Sequence, residues 1–411
     1  MRQPTPPFSA ALAGGLLAGL LGQAAVAQTA PDPADWDQVV ASAEGQTVYW
    51  NAWGGNPQVN AFIQWTADEV QDRFGIALEH VKLSDAASAV TTVLNEKSAG
   101  RDTGGSIDLI WINGENFAAM KRNDLLFGPW SEAIPNWQLT DPAENTALTS
   151  DFTVPVDGLE APWSMAQVVF YYDSADIDTP PATIPGLLDW ARAHPGRFTY
   201  PQPPDFLGST FLKQALLELA TETDPLYAPV DEADYAAISA PLWDYLEELT
   251  PLLWRQGQAY PQTGPAQRQL VADDEIDIAI SFNPGEASAA IANYELPETV
   301  RSFVLEGGTI GNASFLAIPF NANAKEGAMV VANFLMSPEA QARAQDPDIL
   351  GVGTVLDLDK LEAPDRARFE ELTLGVATLS TEELGTPLPE PHPSWMERIE
   401  EDWESRYGVA R

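Results

Sequence analysis

Residues 47–83 read TVYWNAWGGNPQVNAFIQWTADEVQDRFGIALEHVKL, and this stretch decides the fold class. Thr47 to Trp50 is an apolar run that predicts a strand. Pro57 to Phe74 predicts a helix, with Val59, Phe62, Ile63, Val70 and Phe74 as its apolar positions and Gly75 as its stop. Ile76 to Leu83 predicts the return strand. The same alternation continues outward. Asp85–Lys97 is a helix ending near Gly100, Ile107–Ile112 (IDLIWI) a buried strand, and Glu115–Arg122 a helix. Strand–helix units in series give an α/β chain with a parallel or mixed sheet.

Leu125–Leu159 is rich in Pro, Trp and Asp and reads as irregular. Beyond it Val168–Tyr172 is a strong strand and Phe198–Tyr200 a short one, followed by the Pro-rich loop PQPPDFLG. Ser209 is expected to cap a helix from Thr210 to about Ala220. Ile276–Phe282 and Thr309–Phe320 read as strands, Asn283-Pro284 opens a helix, and Lys325–Met336 forms another. No tandem repeat of solenoid length is visible.

The first 27 residues have the three-part layout of a secretory signal peptide. Met1-Arg2 is basic, Phe8–Leu21 is small and apolar, and Ala25-Val26-Ala27 is an A-x-A site before Gln28. The apolar run is shorter than the ~20 residues a membrane span needs. Export to the periplasm with cleavage after Ala27 is therefore expected, with residues 28–44 as a leader. The remaining chain is too long for one ordinary core, so two domains or lobes are expected. There is no cysteine, which excludes thiolate metal sites, a Cys nucleophile and a lipidated cysteine anchor. A net charge of −39, from 60 acidic against 21 basic residues, excludes nucleic acid as a partner.

Three strand ends carry polar turns. Asn56-Pro57 follows the first strand, and Asn283-Pro284 follows Ser281 at the end of IDIAISF. In both, Asn suits the N-cap and Pro the first helical position, which lacks an N–H partner anyway. The third is Asn113-Gly114-Glu115-Asn116 after IDLIWI. In open α/β sheets ligands sit beyond the carboxyl ends of strands, against helix N-termini. Among the 13 tryptophans, Trp53 and Trp163 fall in Gly- or Pro-containing turns and are the candidates for stacking on a ligand.

Catalytic signatures are poor. The three histidines are far apart, and no nucleophile elbow, P-loop or dinucleotide fingerprint is present. Tyr171-Tyr172 would place its rings on opposite sides of a strand, against a paired iron site. A two-carboxylate glycosidase stays open if a pair such as Glu115 and Glu286 converges to about 5–10 Å.

The chain resembles the family 1 extracellular solute-binding proteins of ABC transporters. The residues that carry the resemblance are the signal peptide, APWSMAQVVFYYD (161–173), DDEIDIAISFNPGEA (273–287) and GTIGNASFLAIPFNANAKEGAMVVANFLMSPEAQ (308–341). Within the family it is most similar to the YnjB-like branch, which is associated with thiamine transport. The resemblance implies a two-lobed, type II-like periplasmic-binding-protein fold with hinge crossovers and a ligand cleft. Lobe one would be 45–160 with 312–411, lobe two 172–305, and the crossovers 161–171 and 306–311.

The cleft would be lined by Trp53, Gly55, Asn56, Asn113 and Glu115 from lobe one and Trp163 near the hinge. Asp205, Ser209, Ser281 and Asn283 would come from lobe two and Asn312 from the second crossover. The implied function is capture of a small molecule by hinge closure and delivery to ABC permease subunits, as a monomer, with no chemical step, metal or cofactor. Few basic residues lie in these loops, which favours a cationic, partly aromatic ligand such as thiamine. A polyamine or a sugar is the alternative.

Overall fold

Asn56 and Pro57 start the first long helix as their chemistry requires. Asn56 Oδ1 accepts from the N–H groups of Gln58 (2.7 Å) and Val59 (3.3 Å). Gly75 ends the helix in a left-handed turn at φ 68°. The computed structural model describes Met1 and residues 31–408. The signal peptide and its cleavage site lie outside the described residues.

After α1 (Trp36–Ala43), the chain runs β1 (Thr47–Trp53), α2 (Pro57–Phe74), β2 (Ala77–Leu83), α3 (Ala87–Ser98), β3 (Leu109–Ile112) and α4 (Gly114–Arg122). The stretch from 125 to 159 holds three short 3-10 turns and a small hairpin, β4 (Ser150–Asp151) and β5 (Val154–Pro155). Next come β6 (Glu160–Gln167), β7 (Val169–Asp173), α5 (Ile184–Ala193), α6 (Phe206–Leu219), α7 (Tyr235–Leu249) and α8 (Gly264–Ala272). β8 (Ile278–Ser281), α9 (Glu286–Ala292), β9 (Val300–Phe303) and β10 (Gly311–Ala317) follow. The last elements are α10 (Lys325–Leu335), α11 (Pro338–Gln345), α12 (Ala363–Glu370), α13 (Thr381–Leu384) and α14 (Pro393–Tyr407).

Two sheets organise two lobes. Lobe one is built on the five-stranded order β2-β1-β3-β10-β6, and lobe two on β8-β7-β9. The first sheet is mixed: β1 is parallel to β2 and β3, while β10 is antiparallel to β3 and β6. The lobe-one core gathers Trp50, Phe62, Ile63, Val70, Ile110 and Phe315, among others. The lobe-two core gathers Phe170, Phe198, Phe211, Leu212, Leu242 and Ile278.

Several expectations are corrected. Phe198–Tyr200 makes only one parallel bridge, Phe198 to Ile278, because the prolines that follow lack the donors a longer ladder needs. The helix after it begins at Phe206, one turn early. Asp205 caps it by accepting from Leu207 N–H at 3.1 Å, and Ser209 lies inside the first turn. Asn283-Pro284 does not repeat the Asn56-Pro57 device. Asn283 Oδ1 accepts from Gly285 N–H at 2.9 Å in a local turn, and α9 starts only at Glu286. Trp163 sits in mid-strand on β6 rather than in a turn.

The lobe boundaries shift as well. β6 pairs with β10 through Gln167, and β7 opens the other sheet at Val169, so the first crossover narrows to Val168. The segment 312–411 does not stay in lobe one. α14 carries Trp395, Ile399 and Trp403 at helical spacing, and all three are buried in the lobe-two core. Trp403 Nε1 donates to the Tyr200 hydroxyl at 3.0 Å. The chain therefore passes between the lobes a third time. Leu388 N–H donates to Thr309 O and Gly311 N–H to Leu388 O, which ties the third passage to the second.

Trp403→Phe removes that donor from the buried Tyr200 hydroxyl and leaves a gap beside Tyr260. It is expected to cost about 2 kcal/mol, read as a lower urea midpoint. An unchanged midpoint would show that the Trp403–Tyr200 contact does not stabilise the lobe-two core.

Candidate functional site

The ends of β1 and β3 carry turns held by different devices. Trp53 ends β1, and its indole lies against Gly55. Asn113 does not cap α4 with its side chain; Asn113 Nδ2 instead donates to Ala313 O at 2.6 Å and ties β3 to β10. The N-terminus of α4 is held from the small hairpin, where Asp151 Oδ2 accepts from Gly114 N–H at 2.7 Å. Gly114 has φ 56°, and a Cβ there would stand 2.7 Å from the Phe152 ring. Glycine is thus required twice over, by backbone and by space.

Phe152 leads to the first cluster. Lys213 of α6, in lobe two, sets its ammonium 4.2 Å from the Phe152 ring centre. The same ammonium pairs with Glu390 at 2.7 Å, with both side chains 1% exposed. Asn312 Nδ2 completes the group by donating to Glu390 at 3.0 Å. One ion pair therefore joins α6, the third crossover and the start of β10.

Beside it lies a set of carboxyls with little to neutralise them. Glu115, on α4, accepts from Asn116 Nδ2 at 2.8 Å. Its surroundings withhold water, and Glu400 and Asp85 add like charge, so its carboxyl is pushed up to about 8. Glu400, on α14, accepts from the Ser209 hydroxyl and is pushed up to about 7 by burial. Asp205, at the cap of α6, is pushed up to about 6 by burial. Asp151 is fully buried and raised by desolvation, with Glu115 and Glu390 adding to the effect.

A second inter-lobe feature is a crevice lined by Asn56, Gln58, Arg268, Asn283, Glu286 and Leu350, among others. Arg268 is held by Glu286 at 2.7 Å and Glu295 at 2.9 Å. Asn283 Nδ2 donates across the lobes to Leu350 O at 2.5 Å. Beside it the backbones of Gly285 and Gly351 touch so closely that a Cβ on Gly285 would stand 2.4 Å from Gly351 Cα.

The residues singled out in the sequence divide accordingly. Glu115, Asp205 and Ser209 converge on the carboxyl cluster, and Asn312 joins it through Glu390. Asn56 and Asn283 meet in the crevice. Trp53 and Gly55 form the end of β1 between them. Ser281 is built into its own turn, where its hydroxyl donates to Glu286 and accepts from Asn283 N–H at 3.0 Å. Trp163 is corrected: it is 1% exposed and packed among Trp50, Phe62 and Trp111 inside lobe one. Glu115 lies among Glu400, Lys213 and Asp85, whereas Glu286 is engaged by Arg268 and Ser281. Tyr171 is buried, while Tyr172 packs edge-on against Phe303.

Sequence reasoning missed Lys213, Glu390, Glu400, Asp151 and Phe206. Lys213 had a signal: it is the single cation in FLGSTFLKQALLEL, an otherwise apolar helix. Glu390, between prolines in PLPEPHP, had none. Phe206 adjoins Asp205, remains 38% exposed and meets Phe282 edge-on at 5.2 Å. An aromatic face therefore borders the carboxyls on the lobe-two side.

Comparisons with known proteins agree with this architecture. The family model described as bacterial extracellular solute-binding protein matches residues 65–357. The chain is 41% identical over 390 residues to Protein YnjB of Escherichia coli (strain K12), covering 95% of this chain and 98% of that one. It superposes on the periplasmic binding protein AfuA from Actinobacillus pleuropneumoniae, with fructose-6-phosphate bound, at a TM-score of 0.62 and 13% identity. That match covers 89% of this chain and 99% of the other. The spermidine/putrescine ABC transporter substrate-binding protein PotD from Streptococcus pneumoniae gives 0.55 at 15% identity, covering 82% of this chain and 94% of that one. At these identities the solved structures speak for the two-lobed fold alone. No helix among the described residues is long and apolar enough to cross a membrane.

Proposed function

Because this chain belongs to the family of bacterial extracellular solute-binding proteins, the binding components of ABC importers, we propose that it captures a small cationic ligand between its lobes. The observation that carries this reading is the carboxyl group formed by Glu115, Asp205 and Glu400, contributed from both lobes and α14. The cations nearest to it and to the crevice are already engaged, Lys213 by Glu390 and Arg268 by Glu286 and Glu295. Among the described residues, an anion there would meet half-buried carboxyls beside cations that are already paired. A cation would relieve their mutual repulsion.

Thiamine is the first candidate, as a thiazolium cation with two flat rings. Phe206 and Trp53 offer aromatic faces, and Asp205 and Glu115 offer acceptors for its amine. A linear polyamine suits the same carboxyls without using the aromatic faces. No chemical step is invoked: the ligand is held, the closed lobes present one shape to the permease subunits, and the protein acts as a periplasmic monomer.

The test is calorimetric titration of the protein without its first 27 residues against thiamine, spermidine, putrescine, glucose and fructose-6-phosphate at pH 8. The expected result is selective binding of one cation, accompanied by a rise in melting temperature. Binding of the sugar phosphate with no response to any cation would overturn the reading.

A further inference from the structure

The carboxyl cluster straddles the boundary between the lobes. Glu115 is fixed to lobe one on α4, whereas Glu400 and its partner Ser209 belong to helices of the lobe-two core. α4 and α14 pack against each other across that boundary. Asp85, in the turn after β2, faces Glu115, Asp205 and Glu400. Asp151 faces from β4, Glu397 from α14, and Glu390 from the third crossover. Among the described residues Lys213 is the cation that faces both Glu115 and Glu400, and it is committed to Glu390. Carboxyls from both lobes are therefore gathered at this boundary, beside a cation that is already paired.

We propose that closure of the ligand-free protein takes up protons at Glu115, Glu400 and Asp205, so that hydrogen ions and a cationic ligand compete to hold the lobes shut. This regulation rests on the inter-lobe cleft being the ligand site, but its first half needs no ligand. Like charges in a shared, desolvated space cannot all stay ionised. In the open form these carboxyls would lie near the ordinary range of about 4 to 4.5. With the lobes as they stand, burial pushes Asp205 up to about 6, Glu400 up to about 7 and Glu115 up to about 8. The sign follows from linkage. A carboxyl raised in the closed form favours closure below its open value, and that advantage fades as pH rises through the closed value. Ligand-free closure therefore weakens from about pH 5 to pH 8. A cation bound at pH 8 supplies the missing positive charge, and at lower pH it must displace protons.

The chain has no cysteine, so two introduced ones label cleanly. Asn95→Cys on α3 and Glu247→Cys on α7 lie on exposed surfaces of lobe one and lobe two. Energy transfer between dyes at these positions reports closure. Without ligand, transfer should rise as pH falls from 9 to 5, and the E115Q/E400Q double variant should flatten that rise. Glu400→Gln and Asp205→Asn singly should each narrow it, so the test does not depend on the double variant folding. A flat ligand-free profile in the parent protein, or an unaltered one in all three variants, overturns the proposal. Thiamine and spermidine at pH 8 separate the two claims. If protons close the protein and neither cation does, proton-gated closure stands and the cationic ligand falls. If a cation closes it while the ligand-free profile is flat, the ligand reading stands and proton gating falls.

Discussion

Lys213→Met is expected to unfold the protein at a much lower denaturant concentration, with a loss of about 3–5 kcal/mol. The variant leaves Glu390 buried with Asn312 as its remaining hydrogen-bond donor. Burial already pushes the Glu390 carboxyl up, and Lys213 is the charge that opposes this. Without it the carboxyl must stay charged at a large desolvation cost or take up a proton. The loss should therefore shrink as the medium is acidified. Adding Glu390→Leu should recover most of the stability, because removing both members of a buried pair is far less harmful than removing one. Equal midpoints for the single variant and the parent would mean that the ion pair does not form in solution.

Glu115→Gln is expected to weaken the cation chosen by titration about 10- to 100-fold at pH 8, or about 1.4–2.7 kcal/mol. Glutamine keeps the shape and mimics the protonated acid, so the ligand-free protein should not suffer. It should gain. A raised carboxyl costs folding stability as pH climbs from its ordinary value through about 8. The variant should melt higher than the parent at pH 8 and equally near pH 4. Opposite movement of affinity and stability is the mark of a ligand-facing charge. A variant that loses both would place Glu115 in the scaffold.

The lobe-one βα units were legible because their signals are local. Asn56 caps, Pro57 begins, Gly75 ends, and the apolar spacing of Phe62, Ile63 and Val70 needs no knowledge of the rest of the chain. The second Asn-Pro pair looked identical and behaved differently, because Asn283 is spent on Gly285 and on Leu350 in the other lobe. Trp163 misled for a related reason. A tryptophan after a proline reads as a turn, yet the pairing of β6 with β10 draws it into a strand and then into the core.

Glu115 and Asp205 could be picked out because each follows a strand or precedes a helix. Glu400 and Glu390 could not. They reach the cluster only because α14 returns to lobe two, and that return is a tertiary choice made by Trp395 and Trp403. A single sequence shows an amphipathic helix there without saying which core it will enter.

That return has a consequence for the making of the protein. Lobe two takes its sheet and most of its helices from the middle of the chain, but its core stays open until α14 arrives. A nascent chain lacking α14 would present Tyr200 and Tyr260 to solvent where Trp403 should lie. Chains cut short late in synthesis would be left sticky and protease-sensitive. Docking of α14 is thus expected to be the step that makes lobe two resistant to protease.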